Sequence, residues 1–256
     1  MKFLTILLVF CIVFSCSHEK PTGKTEAEVL YKEAKQLSED GHYLLATEKL
    51  NKIKSEHPYS FYATPAELLQ ADVYFLQESY VESAAVYLLF RDMHPKHERL
   101  DYVIYKIAES YYMQMPETFD RDLAAGHQAI KYFKELQEKY PKSEYIIDAQ
   151  KKISYCEEMI IKKEKYIADF YYKTKVFDAA RFRYLDIIKQ FNAPALRNHA
   201  MVRAVESSFF MSDFIGCVKF ADEFESYLSG KDKDSIVKTR AECKNKLTTS
   251  KQEVPS

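Results

Sequence analysis

GHYLLATEKLNKIKSEHP, residues 41–58, sets a register that returns along the chain. Ala46 is followed four residues on by Leu50 and twelve residues on by Pro58. The same frame gives Ser83, Tyr87 and Pro95, then Ala129, Phe133 and Pro141, then Ala180, Tyr184 and, with Asn in place of Pro, Asn192. Twelve residues upstream of three of these small positions stands another, each followed three residues on by a large apolar one: Ala34 with Leu37, Ala71 with Tyr74, Ala168 with Tyr171. Ala34, Ala71 and Ala108 are each 37 residues apart.

This spacing has a physical reading. A small residue on each of two antiparallel helices lets the backbones approach, large apolar residues one turn away fill the groove, and Pro cannot continue the second helix. That is the pattern of a tetratricopeptide-type hairpin, and because one hairpin cannot cover its own apolar face, copies stack. The frame predicts an all-α tetratricopeptide-repeat helical solenoid of about five hairpins. The first spans about Thr25 to Pro58, the second about Tyr62 to Pro95, and the third begins near Leu100 with Ala108 and Tyr111. Ala108 to Ala129 is 21 residues rather than 12, which puts an irregular insertion in or near Met115–Asp122, MPETFDRD. Residues 143–174 contain no Gly or Pro and keep apolar residues at helical spacing, which predicts one long joining helix of about 30 residues capped by Ser143. A degraded fifth hairpin keeps the frame with Ala204, Gly216 and Phe220, followed by a capping helix over Lys231–Lys246. The expected division is a leader at 1–15, a tether at 16–26, repeats one to three at 27–142, repeats four and five with the capping helix at 143–247, and a frayed tail at 248–256.

Composition narrows the function classes. With 47% hydrophobic residues and 5 Gly in 256, the chain can bury a large helical core. Its net charge is −1, falling to −2 without residues 1–15, where Lys2 is the only charge lost; this excludes the basic footprint of a nucleic-acid binder. The 20 Tyr and 17 Phe fall mostly at helical spacing and read as packing residues.

The apolar run Phe3–Phe14 would make a helix of about 18 Å, well short of the roughly 30 Å of a bilayer core, and reads as a secretory signal. Val13-Phe14-Ser15-Cys16 resembles a bacterial lipobox, which implies acyl chains on Cys16. More than one chain makes anchoring stable. Ser17, not Asp, follows the Cys, which by resemblance to enterobacterial sorting implies the periplasmic face of the outer membrane. Ser17–Glu26 is a polar tether. Cys156 reads as a buried apolar residue. Pairing of Cys217 with Cys243 stays open, since three cysteines are an odd number and none has a close partner in sequence. The HPKH stretch, His94 to His97, is broken by Pro95 and has no third ligand at metal spacing, and no phosphate loop or nucleophile elbow appears. The expectation is no metal, no cofactor beyond the acyl chains, and no enzymatic activity.

Local stretches carry a family resemblance: HPYSFYA at 57–63, HPKHERLDYVIY at 94–105, FDRD at 119–122, YPKSEYIIDA at 140–149 and EKYIADFYYKTKVFDAARFRYLDIIKQF at 164–191. With the lipobox, the third-repeat insertion and the long joining helix, the chain resembles the BamD family of lipoproteins of the outer-membrane β-barrel assembly machinery. The resemblance implies a scaffold whose N-terminal repeats receive the targeting segment of unfolded outer-membrane proteins, and whose C-terminal repeats hold the barrel subunit BamA. Tyr62, Asp101, Tyr102 and Tyr105 are the implied groove residues, with inter-repeat packing as the alternative for each Tyr and helix capping for Asp101. The family's BamA-contacting Arg falls on Arg183, with Arg181 beside it. The third-repeat loop is shorter than the enterobacterial one and the last repeat departs from it, which bears on accessory subunits. The other function class with these features is a periplasmic repeat lipoprotein coordinating cell-wall synthesis or lipoprotein traffic.

Overall fold

The computed structural model describes residues 21–252. The leader, Cys16 and residues 253–256 lie outside the described residues. Those described form eleven α-helices and no strand: α1 (Glu26–Glu39), α2 (Tyr43–Glu56), α3 (Ala63–Leu76), α4 (Tyr80–Met93), α5 (Leu100–Met113), α6 (Ala124–Lys139), α7 (Ile146–Lys173), α8 (Phe177–Gln190), α9 (Pro194–Phe210), α10 (Phe214–Phe224) and α11 (Gly230–Gln252). Helix α11 carries residues 248–252 where polar composition predicts a loose tail, with the hydroxyls of Thr248 and Thr249 bonded back to carbonyls one turn earlier.

The chain makes two compact units, one reaching Gln114 and including Lys131–Ile147, the other Met115–Ile130 with Asp148 onward. In the first, α1 packs on α2, α3 on α4 and α4 on α5, with further contacts of α2 and of α1 with α3. In the second, α8 packs on α9, α9 on α10, and α11 on both α9 and α10. The frame residues are the core: Ala46, Leu50 and Ile53 on α2, Ser83, Tyr87 and Phe90 on α4, and Ala180, Tyr184 and Ile187 on α8 are all buried.

The fifth hairpin corrects the sequence frame by one residue. Cys217, Ala221 and Phe224 hold the buried positions of α10, whereas Phe220 is only partly buried and packs from outside the core. Ala204 is buried as expected, but Val205 stands twelve residues before Cys217. Gly216 is small for another reason. The Asp213 carboxylate caps α10 by accepting from the Gly216 N–H at 2.9 Å, and a Cβ at Gly216 would overlap that carboxylate. Cys217 is bonded to Cys243 of α11, Cα to Cα 6.4 Å, so the pairing left open by sequence is present. Cys156 is buried and free.

Helix α7 is 28 residues long. Ser143 serves the loop before it more than its first turn: its hydroxyl donates to Asp101 Oδ2 at 2.8 Å and accepts weakly from the Tyr145 N–H at 3.4 Å.

Four hairpin turns share one backbone solution. Gly41, Glu78, Lys175 and Ser212 have φ of 78°, 61°, 63° and 61°, each two residues before the next helix. In each, the residue after the left-handed one donates to a carbonyl five residues back, as Ser79 N–H to Tyr74 O at 3.0 Å and Val176 N–H to Tyr171 O at 2.9 Å. This is the Schellman ending, which favours Gly at the left-handed position. Only the first turn has it. Glu78→Gly and Lys175→Gly are therefore expected to stabilise their units by up to about 1 kcal/mol, the relief of left-handed strain less the entropy Gly adds to the unfolded chain. Urea denaturation checks this, with Gly41→Ala shifting the midpoint the other way.

Candidate functional site

One residue past the small position of a hairpin's first helix stands an aspartate twice, Asp72 on α3 and Asp169 on α7, 97 residues apart. Around each the structure builds the same constellation. Asp72 accepts hydrogen bonds from the hydroxyl of Tyr87 on α4 and that of Tyr102 on α5, the latter at 2.6 Å. Asp169 accepts from the Tyr184 hydroxyl at 2.7 Å and contacts His199 Nε2 at 2.8 Å. Tyr184 and His199 stand 97 residues after Tyr87 and Tyr102. Beside the first carboxylate, Lys106 lies 3.6 Å from the centre of the Phe75 ring and 2.8 Å from Glu109. Beside the second, Arg203 lies 4.3 Å from the Tyr172 ring centre and 2.8 Å from Glu206, again at the same offset. A cation over an aromatic face beside a paired carboxylate is thus one feature made twice.

The two carboxylates differ electrically because their donors differ. Burial raises Asp72, and the hydroxyls of Tyr102 and Tyr87 only partly offset that. Burial also pushes Asp169 up, but hydrogen bonds from Lys165, His199 and Tyr184 outweigh it and bring the carboxyl down to about 2. Burial, then the Glu206 contact, raises the Tyr172 hydroxyl to about 12. Burial, then the Asp72 charge, raises Tyr102.

Each constellation contributes lining residues to a groove. In the first unit a groove of about 280 Å³ is lined by Lys35 of α1, Leu69, Asp72 and Phe75 of α3, and Tyr102 and Lys106 of α5. In the second unit a groove of about 510 Å³ is lined by Asp169, Tyr172, Phe177, His199, Arg203 and Phe210. The first is lined mostly from the leading helices of successive hairpins and brings together the rings of Phe75 and Tyr102, the ammonium groups of Lys35 and Lys106 and the Asp72 carboxylate. A larger cleft of about 750 Å³ in the first unit lies where Arg91, Leu100, Tyr132 and Glu135 meet, with Arg91 held by Asp92 and Glu135.

The residues singled out by sequence take different places. Tyr102 lines the first groove, with the Arg99 guanidinium 4.3 Å above its ring. Tyr62, half-buried, sits before α3 with its ring 5.5 Å from Tyr31. Tyr105 is 8% exposed and stacks on Tyr145 at 4.6 Å. Asp101, in the first turn of α5, accepts from the Tyr102 N–H at 2.8 Å and from Ser143, tying α5 to the loop before α7. In the second unit Arg181 is held by Asp213 and Ser208, whereas Arg183, its side chain 38% exposed, reaches Glu164 at 3.7 Å. His94 contacts Glu67 at 2.7 Å, and both His94 and His97 pack on Phe90, with no metal-ligand grouping between them. Asp72 and Asp169 escaped the sequence reading, although the repeated Ala-Asp in register was its visible signal.

Comparison with known proteins adds the family. The outer-membrane lipoprotein family YfiO matches residues 24–211. The outer-membrane protein assembly factor BamD of Rickettsia prowazekii (strain Madrid E) is 31% identical over 209 residues, covering 80% of this chain and 83% of that protein. That of Vibrio cholerae (El Tor Inaba N16961) is 28% identical over 203 residues, 75% and 84% of the two chains. That of Caulobacter vibrioides is 26% identical over 209 residues, 80% and 68%. The family match runs through both aspartate constellations and every hairpin up to α9, and by it and these relatives the chain belongs to the YfiO family of outer-membrane lipoproteins, the family of the BamD assembly factors.

Proposed function

We propose that the protein is a non-enzymatic scaffold of the outer-membrane β-barrel assembly machinery. Acyl chains on Cys16 anchor it at the periplasmic face of the outer membrane, the second unit holds BamA through Arg183, and the first-unit groove receives the targeting segment of an unfolded outer-membrane protein. The family match carries this reading. The groove supports it: an extended segment with an aromatic end finds ring faces at Phe75 and Tyr102 and a cation at Lys106, beside an Asp72 carboxylate that is already hydrogen-bonded.

Arg183 and Arg181 separate by what holds them. Arg183→Glu is expected to lower recovery of BamA with the protein from detergent-solubilised envelopes by about tenfold, as reversing one charge of an interfacial pair does, with helical circular dichroism unchanged. Arg181→Glu acts on the fold. Asp213 is held below the usual carboxylate range by Arg181 first and the Gly216 N–H second, so a second carboxylate there removes the cap of α10 and lowers the melting temperature. Envelope isolation without BamA, but with cell-wall synthesis or lipoprotein-traffic proteins, would overturn the assembly reading in favour of the other class.

A further inference from the structure

Two aromatic side chains stand in full solvent at the end of the first unit where the chain enters. Tyr59 and Phe61, in the turn between α2 and α3, are 102% and 84% exposed, whereas their neighbour Tyr62 packs on Tyr31. The turn is fixed: Ser60 N–H donates to His57 O and Ala63 N–H to Ser60 O, both at 3.0 Å, and Tyr62 N–H to Ser60 Oγ at 3.2 Å. It lies beside the first residue of α1, since Glu26 is 2.7 Å from Lys52 and 3.6 Å from His57. Tyr59 and Phe61, both exposed and two residues apart, with the Phe61 ring edge-on to Tyr62 at 5.6 Å, put apolar surface into water of the kind that something covers.

We infer that Tyr59 and Phe61 seat in the interfacial layer of the lipid leaflet to which the chain is tethered, an inference that rests on Cys16 being the anchor. Ten residues separate Cys16 from Glu26, at most about 35 Å of extended chain. The entry end therefore never leaves the neighbourhood of the bilayer, and a second contact made from there is intramolecular, at an effective concentration near the millimolar range. Tyr and Phe are side chains suited to the headgroup level, where an apolar ring meets water. Charges around the turn are mixed, Glu26 and Glu56 against Lys52 and Lys54, so ring insertion supplies the attraction and anionic lipid is not required.

The chain has no Trp, which makes the test direct. Full-length lipidated protein carrying Tyr59→Trp is incorporated into phosphatidylethanolamine–phosphatidylglycerol vesicles with or without bromine on the acyl chains. The Y59W emission is expected to shift to the blue and to fall about twofold or more with brominated lipid. Leu44→Trp, 82% exposed at the opposite end of α2 and about 20 Å away, is expected to be unaffected. Protein that floats with the vesicles while its Y59W emission ignores bromine would overturn the inference and leave the anchor standing. Y59W emission that answers only to an aromatic-ended peptide would also overturn it, making the turn a peptide site. If the wild-type chain does not float, the anchor reading fails and the inference with it.

Discussion

Cys243→Ser is expected to cost the second unit about 3 kcal/mol, the loop-closure entropy of a crosslink between Cys217 and Cys243 at a sequence separation of 26. The loss falls on the part of the fold least able to absorb it. Helix α11 begins at Gly230, is largely polar, and places Ile236 and Cys243 in the core. Its ion pairs include Arg240 to Asp222 and Glu225 and Lys233 to Glu225, a solvent-screened surface cluster that adds little. Denaturation followed by helical circular dichroism, with and without reductant, should show a lower midpoint for the second unit in Cys243→Ser, and reductant should reproduce it in the wild type. The first unit holds no cysteine among its described residues, so a probe placed in it should not move.

The paired aspartates should respond differently to loss of charge. Asp169 has a folded pKa of about 2, below its ordinary 3.8. Its contribution is present above pH 4 and is lost as pH falls through about 2. The shift corresponds to about 2 kcal/mol at most, reduced by solvent screening to about 1–2 kcal/mol. Asp169→Asn should therefore destabilise the second unit by that amount at pH 7, leaving Lys165 without its counter-charge and the Tyr184 hydroxyl on a weaker acceptor, and should flatten the loss of stability between pH 4 and 2. Asp72 has the other sign. Its folded pKa is raised, so its contribution is full below the ordinary carboxyl pKa and is lost as pH rises through the folded value. Asp72→Asn keeps an oxygen to accept from Tyr102 and should leave the first unit within about 0.5 kcal/mol of wild type at pH 7. Equal destabilisation by the two substitutions would show that the donors around each carboxylate do not set its role.

Much of this fold was legible in sequence because small–large spacing reports helix contact directly. Ala46, Ser83 and Ala180 are buried where the frame put them, and the nine-residue insertion opens between α5 and α6. The frame slips at Gly216 because this small residue makes room for a capping carboxylate and not for a neighbouring helix. The Cys217–Cys243 bond could not be read because it depends on how α10 and α11 turn toward each other, which the largely polar α11 does not announce. Tyr102 and Tyr105, three residues apart, go to groove and core respectively, since their angular separation on α5 decides which neighbour each meets. Asp72 and Asp169 are hidden in the sequence for a related reason. An isolated carboxylate on a helix reads as surface, and only the tyrosine and histidine donors brought up by the next two helices make it a half-buried fixing point.

That an unfolded barrel protein's targeting segment lies along α1, α3 and α5 can be tested at Leu76, which lines the first groove and is 51% exposed. A photoreactive amino acid placed there in the full chain should crosslink to an outer-membrane protein during its assembly in isolated envelopes. The same group at Leu89 of α4, 60% exposed and not among the groove residues, should give little or none. Equal crosslinking at the two positions, or substrate captured at Leu89 alone, would contradict the groove assignment.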